Sequence, residues 1–390
     1  MAYDFDLVQD RRNTGSVKWD VPQGALPMSL ADMDFQAAPE IIEAFRRRVD
    51  NGIFGYGMIP DAWYAAYQSW WKTRHHLDVE HDWLIFCTGV VPALSSVVRK
   101  LTTPAEKVLI QTPVYNIFFN SILNNGRQAL ECPLVDNGET YDIDFAALER
   151  DLADPQTTMM ILCNPHNPVG RLWDQETLAR IGELCAKHHV VVVSDEIHCD
   201  LTDPGKEYVP FASASETCRR ISVTCIAPTK AFNLAGLQTA AVMVPNPVLR
   251  HKVWRALNSD EVAEPNAFAV EAAIAAFTRG AGWLDALRAY LYQNKQLVRE
   301  TLRQALPQLS VRPSEAIYLL WLDCTALHVP AAQIAQALKE HAGLYLSPGA
   351  QYGKGGEHFL RMNIACPRSV LTDGLDRLKK GMDAFLARKP

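Results

Sequence analysis

The 390-residue chain contains no apolar run long enough to span a bilayer. It also lacks an excess of basic residues. The 38 Lys+Arg stand against 44 Asp+Glu, a net charge of −6, so composition suggests neither nucleic acid nor an anionic membrane as a partner. The one local basic cluster, Arg46-Arg47-Arg48, reads as the solvated face of a helix. The start, Met1-Ala2-Tyr3-Asp4-Phe5-Asp6, has none of the basic and apolar blocks of a signal peptide. The nine Cys form no C-x-x-C pair. An odd, scattered set in a chain of this length reads as reduced, buried thiols, so a cytoplasmic protein is expected. The pairs His75/His76 and His188/His189 lack metal-site spacing, and no metal is expected. Internal repeats, low-complexity tracts and long linkers are missing too. What remains is an ordinary globular composition, 48% hydrophobic and 21% charged, long enough for two domains.

Short apolar runs, each ending in a loop and then a helical pattern, fill the middle of the chain. They are Leu84–Cys87, Val108–Ile110, Met159–Cys163, Val190–Val193, Ile221–Cys225 and Ala241–Val244. Runs of this kind predict strands buried on both faces. Between them, Leu94, Val97, Val98 and Leu101 follow helical spacing. The pattern predicts an α/β fold with a mainly parallel central sheet flanked by helices, where ligands bind beyond the carboxyl ends of the strands. Residues 1–50 read as an arm and part of a small domain, 51–282 as the large domain, and 283–390 as a smaller α+β domain. That last part holds a helix over Trp283–Leu306, alternating segments such as Ile317–Leu322, and a final helix over Leu371–Leu386.

The unusual polar residues stand at the strand ends. Lys230, in Pro228-Thr229-Lys230-Ala231-Phe232, follows a buried strand and is flanked by apolar residues. Desolvation lowers the proton affinity of such an amine and makes it nucleophilic, which suits a Schiff base with an aldehyde cofactor. Asp195, in Val193-Ser194-Asp195-Glu196-Ile197-His198, reads alone as a helix cap. Beside a pyridine nitrogen the same carboxylate would keep that nitrogen protonated, with Glu196 pointing elsewhere. His198 is equally a satisfied core histidine or a support for Asp195 or the cofactor. Asn164-Pro165-His166-Asn167-Pro168 makes a rigid loop, open to a cis Asn167–Pro168 bond, from which Asn167 can reach a phenolate oxygen. Thr88-Gly89-Val90 joins a strand to a helix start and offers backbone N–H groups to an anion. Tyr115, alone a core residue, can also stack on an aromatic ring. Tyr56 lies among glycines in Gly52-Ile53-Phe54-Gly55-Tyr56-Gly57. Arg361, in the apolar run Phe359–Ala365, needs an anionic partner: a structural carboxylate or a substrate's.

In this order the stretches resemble the fold-type I pyridoxal-phosphate enzymes of the class I/II aminotransferase superfamily, over nearly the whole chain. Three stretches resemble the MalY/PatB-type cystathionine β-lyases in particular: Leu30-Ala31-Asp32-Met33-Asp34-Phe35, Ser194–His198 and Ala227–Leu237. The resemblance implies pyridoxal 5′-phosphate as cofactor, with Lys230 as Schiff-base lysine and Asp195 at the pyridine nitrogen. It places Asn167 at the ring hydroxyl, Tyr115 on the ring, and Gly89 and Val90 N–H groups at the phosphate. Thr229 and His198 join the cofactor set, and Arg361, Asp32 and Tyr56 the substrate set. Tyr56 would reach the phosphate of a neighbouring subunit, which implies a homodimer with shared active sites. The chain departs from many relatives at His198, where they have Tyr, at Ala227 and Thr229, where they have Ser, and at Gln238, near which they have Arg.

The implied reaction is β-elimination from a sulfur amino acid, giving thiol, pyruvate and ammonia. Lys230 is the general base at Cα, and Arg361 orients the carboxylate. An amino-acid aminotransferase would use the same residues and is the alternative reading. Lower stands a regulatory role through a protein partner, for which the sequence marks no patch.

Overall fold

The computed structural model describes residues 3–387. Each apolar run forms a strand of one seven-stranded sheet. In spatial order these are Leu84–Cys87, Ala240–Met243, Ser222–Ile226, Val191–Asp195, Thr157–Cys163, Lys107–Ile110 and Gln128–Glu131. Ala240–Met243 runs antiparallel to both neighbours, and every other pairing outside it is parallel. The Gln128–Glu131 strand was not expected. It sits at the sheet edge, where its polar ends Gln128 and Glu131 remain partly or fully in solvent, so it carries no apolar run.

Helices cover both faces, as parallel pairing demands. The Val90–Leu101 helix buries Leu94, Val97 and Val98 completely, the face that the spacing predicted. The Gln175–Lys187 helix starts where Asp174 accepts the Thr177 N–H at 2.8 Å. Arg46 and Arg47 lie in solvent on the Pro39–Asn51 helix.

The later part of the chain forms a second sheet, antiparallel, in the order Ser310–Val311, Leu319–Asp323, Phe359–Asn363, Ser347–Pro348. Its Leu319–Leu322 stretch is buried on both faces rather than alternating, because this strand is internal and covered on each side. The helices Ala281–Ala305 and Arg368–Leu386 match the two expected there. The first residues connect to this sheet region, since Leu26–Pro27 pairs in parallel with Leu344–Tyr345. One packing contact reaches directly toward the rim. Phe232, fully buried, stacks on Trp283 with ring centroids 5.9 Å apart, and its N–H donates to Pro228 O at 2.9 Å. Burying that ring contributes about 1.5–3 kcal/mol, so the turn carrying Lys230 is anchored in the core.

Candidate active site

Register brings the chemistry together. Cys163 pairs with Asp195, and Asp195 with Cys225, across adjacent parallel strands. The loops that follow therefore leave the sheet at one level, on one rim. A cavity of about 260 Å³ opens there, and its lining includes Gly89, Val90, Tyr115, Asn167, Thr229 and Lys230. Asp195 and His198 also line it.

Lys230 Nζ donates to the Ala31 carbonyl at 2.6 Å. Burial pushes its pKa below the ordinary lysine range, and the Arg361 cation adds to this, while Asp32 and Asp195 oppose it. Asp195 is buried, and its Oδ1 accepts the Ile197 N–H at 3.2 Å. Among the described residues it has no ion-pair partner, and burial pushes its carboxyl up to about 7. Glu196 does point elsewhere: it accepts from Ser194 Oγ at 2.7 Å, from Phe211 N–H at 2.9 Å and from Tyr208 OH.

Asn167 is joined to Pro168, the next residue, by a cis bond. Its Oδ1 accepts from Arg361 Nη1 at 3.2 Å, which leaves its amide hydrogens free to donate. Arg361 is 5% exposed, its Nη2 donates to Ser29 O at 3.0 Å, and its guanidinium lies 4.8 Å from the Tyr352 ring centre. No carboxylate pairs with it among the described residues, and Nε has no partner. Of the two partners a buried Arg can have, the structural carboxylate is thus missing. Burial drives the His198 pKa down to about 3, so the ring is neutral, and its Nδ1 has no partner. Tyr115 is raised to about 12 by burial and stays a neutral phenol.

Three predicted residues do not line the cavity; of these, Arg361 reaches it through its hydrogen bond to Asn167. Tyr56 is fully exposed, in an extended stretch between helices. Asp32 is not in the lining; its carboxylate accepts from Arg11 Nη2 at 2.8 Å while acting on the nearby Lys230 amine, and the neighbouring Ala31 lines the cavity instead. The contacts from Ser29 O and Ala31 O were missed. Backbone carbonyls leave no mark in residue type, although the Leu30–Phe35 motif pointed to the segment.

His75 does meet Cys199 and Asp200, with metal-ligand-type atoms within 4.8 Å of one another. Asp200 Oδ1 there already accepts from Trp70 Nε1 at 3.0 Å and lies 2.9 Å from His75 Nε2. The same carboxylate also faces the cations Arg74 and Arg288. Asp200 Oδ1 is thus engaged by its neighbours, while the buried Oδ2 has no hydrogen-bond partner among the described residues.

The rim suits pyridoxal phosphate on three counts. Asp195 is a buried carboxylate with no ion-pair partner among the described residues, Lys230 being the cation that acts on it across the cavity lining. The first N–H groups of the Val90–Leu101 helix, which have no acceptor within the helix, stand at the cavity beside Gly89 and Thr229. Lys230, which lines the same cavity, is an amine with lowered proton affinity.

The comparisons agree with this chemistry. Residues 25–378 match the family model "Aminotransferase class I and II". The chain is 43% identical to the cystathionine beta-lyase PatB of Bacillus subtilis, over 97% of this chain and 99% of that protein. It is 33% identical to the protein MalY of Escherichia coli, over 96% and 97%. The structure of cystalysin from Treponema denticola, which contains pyridoxal 5′-phosphate, superposes with a TM-score of 0.95 at 33% identity, covering 99% of this chain and all of that one. The chain belongs to the class I and II aminotransferase family.

Proposed function

We propose that the protein is a pyridoxal-phosphate-dependent carbon–sulfur β-lyase, cleaving cystathionine or another cysteine S-conjugate to a thiol, pyruvate and ammonia. One observation carries this reading: a desolvated amine, a buried carboxylate without an ion-pair partner and a buried guanidinium without a carboxylate meet at one rim. The relatives named as lyases favour elimination over amino transfer.

Bound pyridoxal phosphate supplies an aldehyde for an amine and a pyridinium ring that draws electrons from the substrate's Cα. The chain's own residues do the rest. Lys230 removes the Cα proton, and its lowered pKa leaves more of the free base at neutral pH. Asp195 keeps the ring nitrogen protonated, since a cation placed there relieves the burial of its charge. The Asn167 amide donates to the ring oxygen, while its Oδ1 is held by Arg361. Arg361 grips the substrate carboxylate and so aims the Cα–H bond at Lys230. Gly89, Val90 and Thr229 would hold the phosphate and Tyr115 would pack on the ring, with the neutral His198 lining the same cavity.

We further read the protein as a homodimer with shared sites. Ile53, Phe54, Tyr56 and Met58 are all exposed on one stretch, a surface suited to a second copy that would receive Tyr56. Nine free, buried thiols support a cytoplasmic setting. No helix among the described residues is long and apolar enough to cross a membrane. Residues 51–282 and 283–390, each built around its own sheet, are our proposed large and small domains.

The test is turnover of cystathionine by the purified, cofactor-loaded protein with no keto acid present. Sustained release of pyruvate and thiol is expected. Turnover only on addition of a keto acid would instead establish the aminotransferase.

A further inference from the structure

The segment Ser29–Asp34 supplies four of the contacts that shape the rim. Ser29 O accepts from Arg361, Ala31 O accepts from Lys230, and the Leu30 and Asp32 carbonyls accept from Asn363 Nδ2 at 2.6 and 2.7 Å. The segment has no regular structure of its own, so something else must hold it. That something is a buried charge network from the first twenty residues. Arg11 donates to Asp32 Oδ2 at 2.8 Å, to Asp34 Oδ1 at 2.9 Å and to the Met33 carbonyl at 2.8 Å. Lys18, 4% exposed, donates to Asp34 Oδ2 at 2.7 Å and to the Asp32 carbonyl at 2.9 Å. Trp19 Nε1 completes the Asp34 shell at 2.8 Å.

We propose that Arg11 is a positioning residue for the reaction. It holds the Asp32 carboxylate in an ion pair, fixes the Ala31 carbonyl on Lys230, and sets how much of Asp32's negative charge the Lys230 amine feels. The inference rests on the reading of Lys230 as the reactive amine. The charged and titratable groups that face Lys230 are Asp32, Asp195, Arg361 and His198. Only Asp32 among these is neutralised by a cation outside the cavity. Ion pairing by Arg11 thus tunes the amine without Arg11 touching it. Asp34, gripped by both Arg11 and Lys18, is the mechanical anchor.

The sign of the pH response separates tuning from mere support. Without Arg11, Asp32 acts unopposed on Lys230, and the amine should hold its proton to higher pH. Without the Asp32 charge, the amine should lose its proton at lower pH. If the network were only a brace, either change would loosen the segment, let water reach Lys230, and move the titration upward in both cases.

The experiment follows the pH dependence of labelling of Lys230 by an amine-specific reagent in cofactor-free protein, mapped by mass spectrometry. The same pH series is run on the visible band of the loaded protein. Arg11→Gln should raise the midpoint by about one pH unit and Asp32→Asn should lower it by a similar amount, the scale on which a nearby charge acts. Arg11→Lys should restore most of the wild-type value, and the double variant should fall between the single ones. A rise in both single variants, or no movement in Asp32→Asn, overturns the proposal. Should Arg11→Gln not fold, Asp32→Asn and Arg11→Lys still decide it. Failure of the underlying reading looks different: borohydride would then fix the cofactor to a lysine other than Lys230.

Discussion

Lys295 and Arg361 are both buried cations, and they are treated in opposite ways. Lys295, 1% exposed on the Ala281–Ala305 helix, donates to both oxygens of Asp203 at 2.6 and 2.8 Å. Arg361, 5% exposed on the Phe359–Asn363 strand, meets only an amide oxygen, a backbone carbonyl and an aromatic face. A buried charge is costly unless paired, so the first arrangement serves folding, while the second leaves a cation unmatched, as the carboxylate-binding role proposed for Arg361 requires. Asp195 makes the same contrast among the carboxylates, set against Asp34 with its two cations. Where charge is matched, the molecule is building itself; where it is left over, a ligand supplies the balance.

The sharpest way to break the functional half of this contrast is at the amine between those unmatched charges. Lys230→Ala should lower turnover about a thousandfold or more, the general-base contribution alone being of that order. The loaded variant should also lose the visible band of the wild type. Retained colour and rate would move the chemistry to another lysine.

Next comes the pair of cations itself. Lys295→Met leaves Asp203 buried and unpaired and should cost about 3–5 kcal/mol in urea unfolding, with little change in KM among molecules that remain folded. Arg361→Met should do the reverse. Stability should hold or rise, while kcat/KM falls more than about a hundredfold, since at least two charge-assisted hydrogen bonds of about 1.5–3 kcal/mol each are lost to the substrate. Similar destabilisation by both changes would mean that Arg361 is structural.

These contrasts also show what the sequence could disclose. The apolar runs marked six strands of the central sheet because burial on both faces leaves no room for polar residues; Gln128–Glu131 escaped because an edge strand need not be apolar. Lys230, Asp195 and Asn167 were legible as polar residues at apolar strand ends and Arg361 as a charge inside an apolar run; the central register sets the first three on one rim, and the second sheet delivers Arg361 to Asn167. Asp32 was legible as part of a motif, but its direction was not. That depends on Arg11, twenty-one residues earlier, across a segment with no periodic pattern. The carbonyls of Ser29 and Ala31 are invisible for a simpler reason, since every residue has one. Tyr56 stands out by its glycine neighbours, and in a single chain it is fully exposed.

Asp195 gives a stability prediction of intermediate size. In the cofactor-free protein its carboxyl titrates at about 7, well above the value of about 3.9 in an unfolded chain. Between those values the native state keeps a proton that the unfolded state has released, so stability falls as pH rises from about 4 to 7. Cofactor-free Asp195→Asn should therefore be more stable than wild type by up to about 4 kcal/mol at pH 8, with the gap closing near pH 4. A gap independent of pH would mean that Asp195 is already ionised and paired without the cofactor.

His198 tilts the same pH window the other way, with a smaller effect. Its ring titrates at about 3 in the folded protein, below the value of about 6.5 in an unfolded chain. As pH drops below about 6.5 the unfolded chain gains a proton that the buried ring refuses, so this residue's contribution is complete at pH 8 and shrinks with acid. Relative to wild type, His198→Asn should gain about 2 kcal/mol on going from pH 8 to pH 5, read from paired urea melts. The two neighbours thus pull in opposite directions across one interval, and only the single variants separate them. A melt difference for His198→Asn that stays flat with pH would place a charge on that ring in the native state. The orphaned Nδ1 would then have an anionic partner, and His198 would move from the unmatched groups of the rim to the matched ones.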